Sequence, residues 1–415
     1  MNIYTTYYRS RGWLQAYLFI YRFRWTYPVG LAGLVIGVYR FTSNVPISGF
    51  ELTVALLGLL CGALCALHNM LDMHRNADDH YAVKLRVLPE SYNAIAKSCK
   101  YTDFEHIVFA EHAALYSESL NRLIDSAPIR IDTDRHRFRL NSEVNSIVPT
   151  ALHKSKRIIF NSLKVRMASD ITPESVLRHE RVKIQKTDYF SSCCTNDMIG
   201  WAVRLRKSKT VVYDGMSYMI NGNALSDLSD SECSNDIGIS TLVFTRDGYM
   251  ILPYNSMDSA KSPGKLAPAS GSADWKDLKG CSTLQEFVIR AMEREMVEEC
   301  GLRQSNDQFV RTHLTGYARY LNLGGKPEYF GVSIISDDHN RVTVARKEGP
   351  FTKDHKMIKL RCEPNREAFI QWLNDTFGDV ESEASFALFL SIRFLQDYIR
   401  FTPQAFDEIW RSMEL

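Results

Sequence analysis

Zinc-type ligand spacing is missing from this chain. There are nine cysteines and eleven histidines, but no Cys-x-x-Cys pair and no His-Glu-x-x-His pattern. Cys193 and Cys194 are adjacent, and Cys61 and Cys65 lie in an apolar run. Both placements suit reduced, buried thiols facing a cytosolic redox environment. An excess of one charge is also lacking. Lys plus Arg total 50 and Asp plus Glu total 48, a net of +2, which leaves no footprint for a DNA or RNA polymer. No internal repeat or low-complexity tract occurs, so solenoids and long disordered segments are excluded.

Apolar runs of full membrane-spanning length are absent too, but two stretches come near. Trp25 to Tyr39 and Leu52 to Leu67 carry no charge. Fifteen helical residues rise only about 22 Å, against a hydrocarbon core of about 30 Å. Adding Phe41 to Ser43 to the first and Val45 to Phe50 to the second brings each to a span of about twenty residues. Arg9, Arg11, Arg22 and Arg24 precede the first run, and His74, Arg75, Lys84 and Arg86 follow the second, while the loop offers only Arg40. Trp13, Tyr17, Tyr21, Trp25 and Tyr27 would form an aromatic belt. The expectation is an interfacial segment over 1–24 and a two-helix transmembrane hairpin over 25–70. The protein would then sit in the inner membrane in two passes, with both termini and the head cytoplasmic. The competing expectation is a buried helical hairpin.

Residues 71–225 form a connecting region of unassigned fold. Phe104, Ile107 and Val108, then Leu115, Leu120 and Leu123, fall at helical spacing and predict one or two helices over 75–125. Residues 203–220 alternate and predict a hairpin turning at Asp214-Gly215. Beyond the polar run 226–235 the pattern becomes strand-like. Ile239 to Phe244 and Tyr249 to Tyr254 flank a turn at Asp247-Gly248, and Gly316 to Tyr320 and Tyr329 to Ile335 predict two more strands. Helices are expected over 284–300, 364–377 and 382–400, within a domain spanning 236–400.

The chemistry is concentrated in Gly280 to Leu302, GCSTLQEFVIRAMEREMVEECGL. On a helix, Glu295 and Glu299 are i,i+4 neighbours and Glu298 is three residues from Glu295, so the three carboxylates project near one side. Such crowding of like charge calls for a cation. Oxygen ligands at this density suit Mg²⁺ or Mn²⁺. Ile289, Met296, Val297 and Cys300 are expected on the buried stripe, and Arg294 and Glu286 are expected to bridge and hold the loop-helix-loop.

The order Gly-x5-Glu-x7-Arg-Glu-apolar-x-Glu-Glu-x-Gly-apolar, carried by Gly280, Glu286, Arg294, Glu295, Glu298, Glu299 and Gly301, resembles the Nudix box at every fixed position. The resemblance implies an α/β/α sandwich over 238–335. It also implies a metal site at Glu295, Glu298 and Glu299, with Arg294 beside it, acting on nucleotide diphosphate linkages. Nudix hydrolases often use a further carboxylate outside the box, which makes Glu328 and Glu348 candidates by position only. The 262–275 loop departs from the Trp-Gly-Leu-Pro-Gly-Gly-type segment of housekeeping Nudix enzymes. Together with Lys183 to Ser192 it resembles a Nudix subgroup associated with bacterial cyclic-oligonucleotide synthases. With the apolar hairpin, the chain is similar to two-transmembrane Nudix effectors of CBASS anti-phage systems. That implies a homo-oligomeric antiviral effector whose head senses or processes a cyclic oligonucleotide and whose hairpin disrupts the lipid bilayer. The alternative is a membrane-anchored, Mg²⁺-dependent hydrolase. Whether the box turns over a substrate or only binds one stays open. The expected fold class is α+β, a transmembrane helical hairpin followed by a Nudix sandwich.

Overall fold

The computed structural model describes residues 3–21, scattered positions between 53 and 75, and 77–85, 89–97, 103–153, 158–221, 224–302 and 310–413. Its centre is a mixed sheet. We number the sheet's strands β1 (Glu105–Phe109), β2 (His112–Tyr116), β3 (Gly238–Thr245), β4 (Tyr249–Asn255), β5 (Ala269–Ser272), β6 (Val310–Tyr320), β7 (Lys326–Ile335) and β8 (Thr352–Lys359). Across the sheet the order is β8-β4-β3-β7-β6-β2-β1, with β5 pairing β3 off this path. β3 and β7 run parallel, from Gly238 beside Glu328 to Thr245 beside Ile335. The remaining pairs are antiparallel.

Strand alternation divides the side chains between two helical layers. Leu242, Phe244, Met250, Leu252, Val332 and Ile334 pack under the C-terminal helices α3 (Arg366–Val380), α4 (Phe386–Phe401) and α5 (Pro403–Ser412). Ile239, Tyr317 and Tyr329 face the other way, onto helix α2 (Leu284–Glu299). There they meet Leu284, Phe287, Val288, Ala291 and Met292. This burial fixes the roll of α2. Its apolar stripe lies on the sheet, and its glutamates stand beside β5. Of the stripe expected from the sequence, Met296 and Cys300 are fully buried, whereas Ile289 and Val297 are only partly so.

Several expectations are corrected here. Among the described residues no helix is long and apolar enough to cross a membrane. The two-pass hairpin over 25–70, the fold class that began with it and the inner-membrane placement drawn from it are therefore withdrawn. Trp25 to Tyr39 lies outside the described residues. Between 53 and 71 the described positions are helical, with Leu56, Leu60, Leu64, Leu67 and Leu71 exposed. The first segment is a helix, α1 (Ile3–Tyr21), that docks on the protein rather than lying free. Gly12 approaches the Ile159 carbonyl so closely that a Cβ would stand 1.9 Å from it.

Among the described residues of 75–125 helices form over Pro89–Lys97 and Glu118–Leu123, the second holding Leu120 and Leu123, but Ile107, Val108 and Leu115 lie in strands. β1 and β2 form a hairpin around Ala110 and Glu111, with Ala110 at φ 52°. Glu105-His-Ile-Val-Phe satisfies helical spacing and strand propensity alike, and antiparallel pairing with β2, which itself pairs with β6, decides it. The hairpin near 203–220 forms between Trp201–Leu205 and Val211–Asp214. Its turn falls at 206–210, because Asp214 caps a short helix, Gly215–Met219. β8 and α5 had no counterpart in the sequence reading.

Candidate functional site

The loop-helix-loop over 280–302 is built from local signals. Gly280 has φ +79°. Thr283 caps α2 by accepting from the Glu286 N–H at 3.3 Å. The Glu286 carboxylate accepts in return from the N–H groups of Ser282 at 2.7 Å and Thr283 at 3.1 Å. This capping box satisfies donors that every helix start leaves open. The same backbone bonds lower the Glu286 pKa. Glu286 is thus a cap rather than a partner of Arg294, which corrects the expected bridge. At the far end Gly301 has φ +65° and lies so near Thr343 that a Cβ would meet its carbonyl oxygen at 2.2 Å.

Arg294 organises the acidic face. Its Nε donates to Asp277 Oδ1 at 3.0 Å, and its Nη2 to Asp277 Oδ2 at 3.0 Å. Its Nη1 donates to Glu295 Oε1 at 2.8 Å and reaches Glu298 Oε2 at 3.5 Å. Side-chain exposure is 12% for Arg294 and 4% for Asp277, so this is a shielded, bidentate pair of the strong kind. Burial works to lower the arginine's pKa, but Glu295 and Asp277 overcome it and the net shift is upward.

The carboxylates themselves lean on β5. Glu299 accepts from the Ser270 N–H at 3.1 Å. Glu295 packs against Gly271, where a Cβ would stand 2.5 Å from the carboxyl carbon. A side chain at 271 would require the Glu295 carboxylate to move. Burial, then repulsion from Glu295, pushes the Glu299 carboxyl well up. Burial also raises Glu295, with Arg294 and Lys164 opposing. Glu348 joins this group. Burial raises it to about 7, with Glu295 and Glu298 adding repulsion and Lys347 opposing. Lys347 lies 3.5 Å from Glu298 and 3.9 Å from Glu348. Glu328 sits elsewhere. It pairs with Lys326 at 2.6 Å beside Asp236, next to the β3 backbone at Gly238.

The sequence reading therefore brought Glu295, Glu298, Glu299 and Arg294 together, and of its two added carboxylates the structure places Glu348 with them. It missed Asp277, Gly271 and Lys164. Lys164 Nζ donates to the Ser272 carbonyl at 3.0 Å and to Asp274 at 2.7 Å. No local pattern announces Lys164, because it arrives from a strand, Leu163–Met167, more than a hundred residues away.

An all-oxygen donor set in which burial and mutual repulsion raise three carboxyls suits a hard divalent cation. Among the described residues, however, no three such groups are gathered as a ready cage, and Arg294 holds Glu295. In chemical type the donors fit Mg²⁺ or Mn²⁺.

Two outlying segments border the site. Ser192 and Ser272 both donate to Asp236, and Lys186 Nζ lies 4.7 Å from the Trp275 ring centroid. The stretches 183–192 and 262–275 are thus neighbours. On another side, the Tyr8 ring of α1 stacks on Phe160 and tilts against Phe351, each at a centroid distance of 5.2 Å.

No family model matches the chain, and no curated protein matches it. Among solved structures, the crystal structure of DR0079 from Deinococcus radiodurans is similar at 12% identity, over 36% of this chain and 83% of that one, with a TM-score of 0.22.

Proposed function

We propose that the acidic face of α2 is a divalent-cation-dependent site that handles the diphosphate group of a nucleotide and hydrolyses it. The observation that carries this reading is an arginine, fixed by Asp277, that reaches Glu295 and Glu298, with Glu299 and Glu348 close enough to share their repulsion. The resemblance of 280–302 to the Nudix box supports it.

A bound Mg²⁺ or Mn²⁺ would neutralise carboxylate charge and polarise a phosphoryl oxygen. Glu298, Glu299 and Glu295 are the residues to hold it. Arg294 restrains Glu295, so the ligand set keeps its geometry. Glu348, close enough to Glu295 and Glu298 to be repelled by them in the metal-free protein, would take a proton from the attacking water. Water adds to phosphorus, the bridging P–O bond breaks, and the leaving phosphate carries away the electron pair.

A second reading, capture of a cyclic oligonucleotide with little turnover, is favoured by the packing of 183–192 against 262–275. The chain would then act as the sensing head of a nucleotide-signalled antiviral system, as a homo-oligomer.

Mn²⁺ calorimetry and an assay of AMP release from ADP-ribose and related diphosphates test the proposal. Glu298→Gln and Glu299→Gln should each cut turnover by about a hundredfold or more while leaving the thermal melt nearly unchanged. Mn²⁺ binding without cleavage of any diphosphate, combined with binding of a cyclic oligonucleotide, favours the second reading. Absence of Mn²⁺ binding defeats both.

A further inference from the structure

α1 is held unevenly. At its C-terminal end Phe19 is buried and meets Phe190 edge-on at 5.6 Å. At its N-terminal end Tyr8 and Arg11 lie on the Phe160 ring, and the other attachments are polar and half-exposed. Arg9 pairs with Asp258 at 2.9 Å, with the two side chains 53% and 40% exposed, an arrangement worth little in water. Gln15 exchanges two hydrogen bonds with Asn161, at 3.2 and 2.8 Å. Between these lies Gly12, pressed on the Ile159 carbonyl. The helix is therefore anchored at Phe19 and lightly fastened around Tyr8.

Tyr8 completes a cluster of three rings. Phe160 and Phe351 are 6.0 Å apart, and Tyr8 lies 5.2 Å from each, stacked on Phe160 with an interplanar angle of 22°. Phe351 follows Glu348 by three residues, and its N–H donates to the Glu348 carbonyl at 2.7 Å. The rings thus adjoin the acidic cluster. Consistent with this, burial and the charges of Glu348 and Glu298 raise the pKa of the Tyr8 hydroxyl. Flat rings in offset contact are the arrangement in which proteins hold nucleobases, because every base offers a π-face.

We propose that Tyr8 occupies, from within the chain, a ring-binding subsite formed by Phe160 and Phe351 at the mouth of the acidic site, and that an aromatic group of the nucleobase class displaces it there. The N-terminal half of α1 is then a competitor of the ligand. The identification of the ring as a nucleobase rests on the nucleotide reading above; the competition itself does not require a metal. Apparent affinity falls by the fraction of molecules in which the slot is free, so freeing Tyr8 raises it.

Adenosine carries the ring without phosphate, so its binding in EDTA isolates the slot from the acidic cluster. Tyr8→Ala should bind adenosine roughly tenfold more tightly than the parent protein. Gly12→Ala, which forces α1 away from Ile159 and leaves the rings intact, should shift affinity in the same direction. Tyr8→Ala combined with Phe160→Ala should lose the gain. A thermal melt establishes that each variant is folded. Equal adenosine affinity in the parent, Tyr8→Ala and Gly12→Ala would overturn the proposal. If turnover with Mg²⁺ is absent but the adenosine gain appears, the hydrolase reading fails and this one stands.

Discussion

Asp277 grips Arg294 through both carboxylate oxygens, with the Nε and Nη2 donors each at 3.0 Å from their acceptors. The aspartate belongs to the 3₁₀ turn Trp275–Leu278, and the arginine to α2. The pair ties the loop before the helix to the acidic face after it. Removing one partner leaves the other charged and shielded. Asp277→Ala should therefore destabilise the protein by about 3–5 kcal/mol in urea unfolding. A change below about 1 kcal/mol, the range of exposed pairs, would show that Arg294 finds water instead.

Gly271 offers a cleaner way to disturb the site. An added methyl at 271 meets the end of the Glu295 side chain, 2.5 Å from its carboxyl carbon, and not backbone. The side chain can swing aside, so stability should change little. Displacing the carboxylate should lower Mn²⁺ affinity by about tenfold in calorimetry. Unchanged affinity would remove Glu295 from the ligand set.

Stability should depend on pH in a defined sense. Glu348 is raised from 4.5 to about 7, and Glu295 and Glu299 move the same way. The folded metal-free protein thus holds protons that the unfolded chain has released. This contribution is complete below about pH 4.5 and is lost as pH rises through about 7. Melting temperature in EDTA should fall across that window, and Glu348→Gln should flatten the fall. Millimolar Mg²⁺ should raise the melting temperature most at the alkaline end. A rise in stability with pH over the same interval, unaltered in Glu348→Gln, would contradict the assigned environment.

The two end glycines of the loop-helix-loop should differ in cost. Both have positive φ, but a Cβ at Gly280 meets nothing within 4 Å, whereas at Gly301 it meets the Thr343 carbonyl oxygen at 2.2 Å. Gly280→Ala should cost about 1 kcal/mol from backbone conformation alone. Gly301→Ala should cost distinctly more, because Thr343 is backbone and cannot swing clear. Chemical denaturation of both variants checks the order.

The site was legible where its parts are close in sequence. Thr283 with Glu286, the i,i+3 and i,i+4 glutamates and the terminal Gly301 all announce themselves within one helix and its caps. Lys164, Gly271 and the Tyr8 ring do not, because distant strands and α1 bring them in. Within the sheet, β3 and β4 declare themselves by β-rich composition and by the Asp247-Gly248 turn. β1 does not, since Ile107 and Val108 fit either period, and β2, its partner across the turn, is itself placed by a strand far along the chain. The apolar runs near the N-terminus misled for a related reason. Lack of charge records how hydrophobic a segment is, and no described helix is long and apolar enough to cross a membrane.

The junction of β2 with β6 has a consequence in time. Ala114 to Tyr116 pairs with Ala318 to Tyr320, so the partner emerges about 200 residues later. At about 5–20 residues per second, synthesis leaves the β1–β2 hairpin without its neighbour for roughly 10–40 s. During that interval its bare edge is open to pairing with other chains. A nascent-chain chaperone would find its task there, and slowing translation between 116 and 318 should lower the soluble yield.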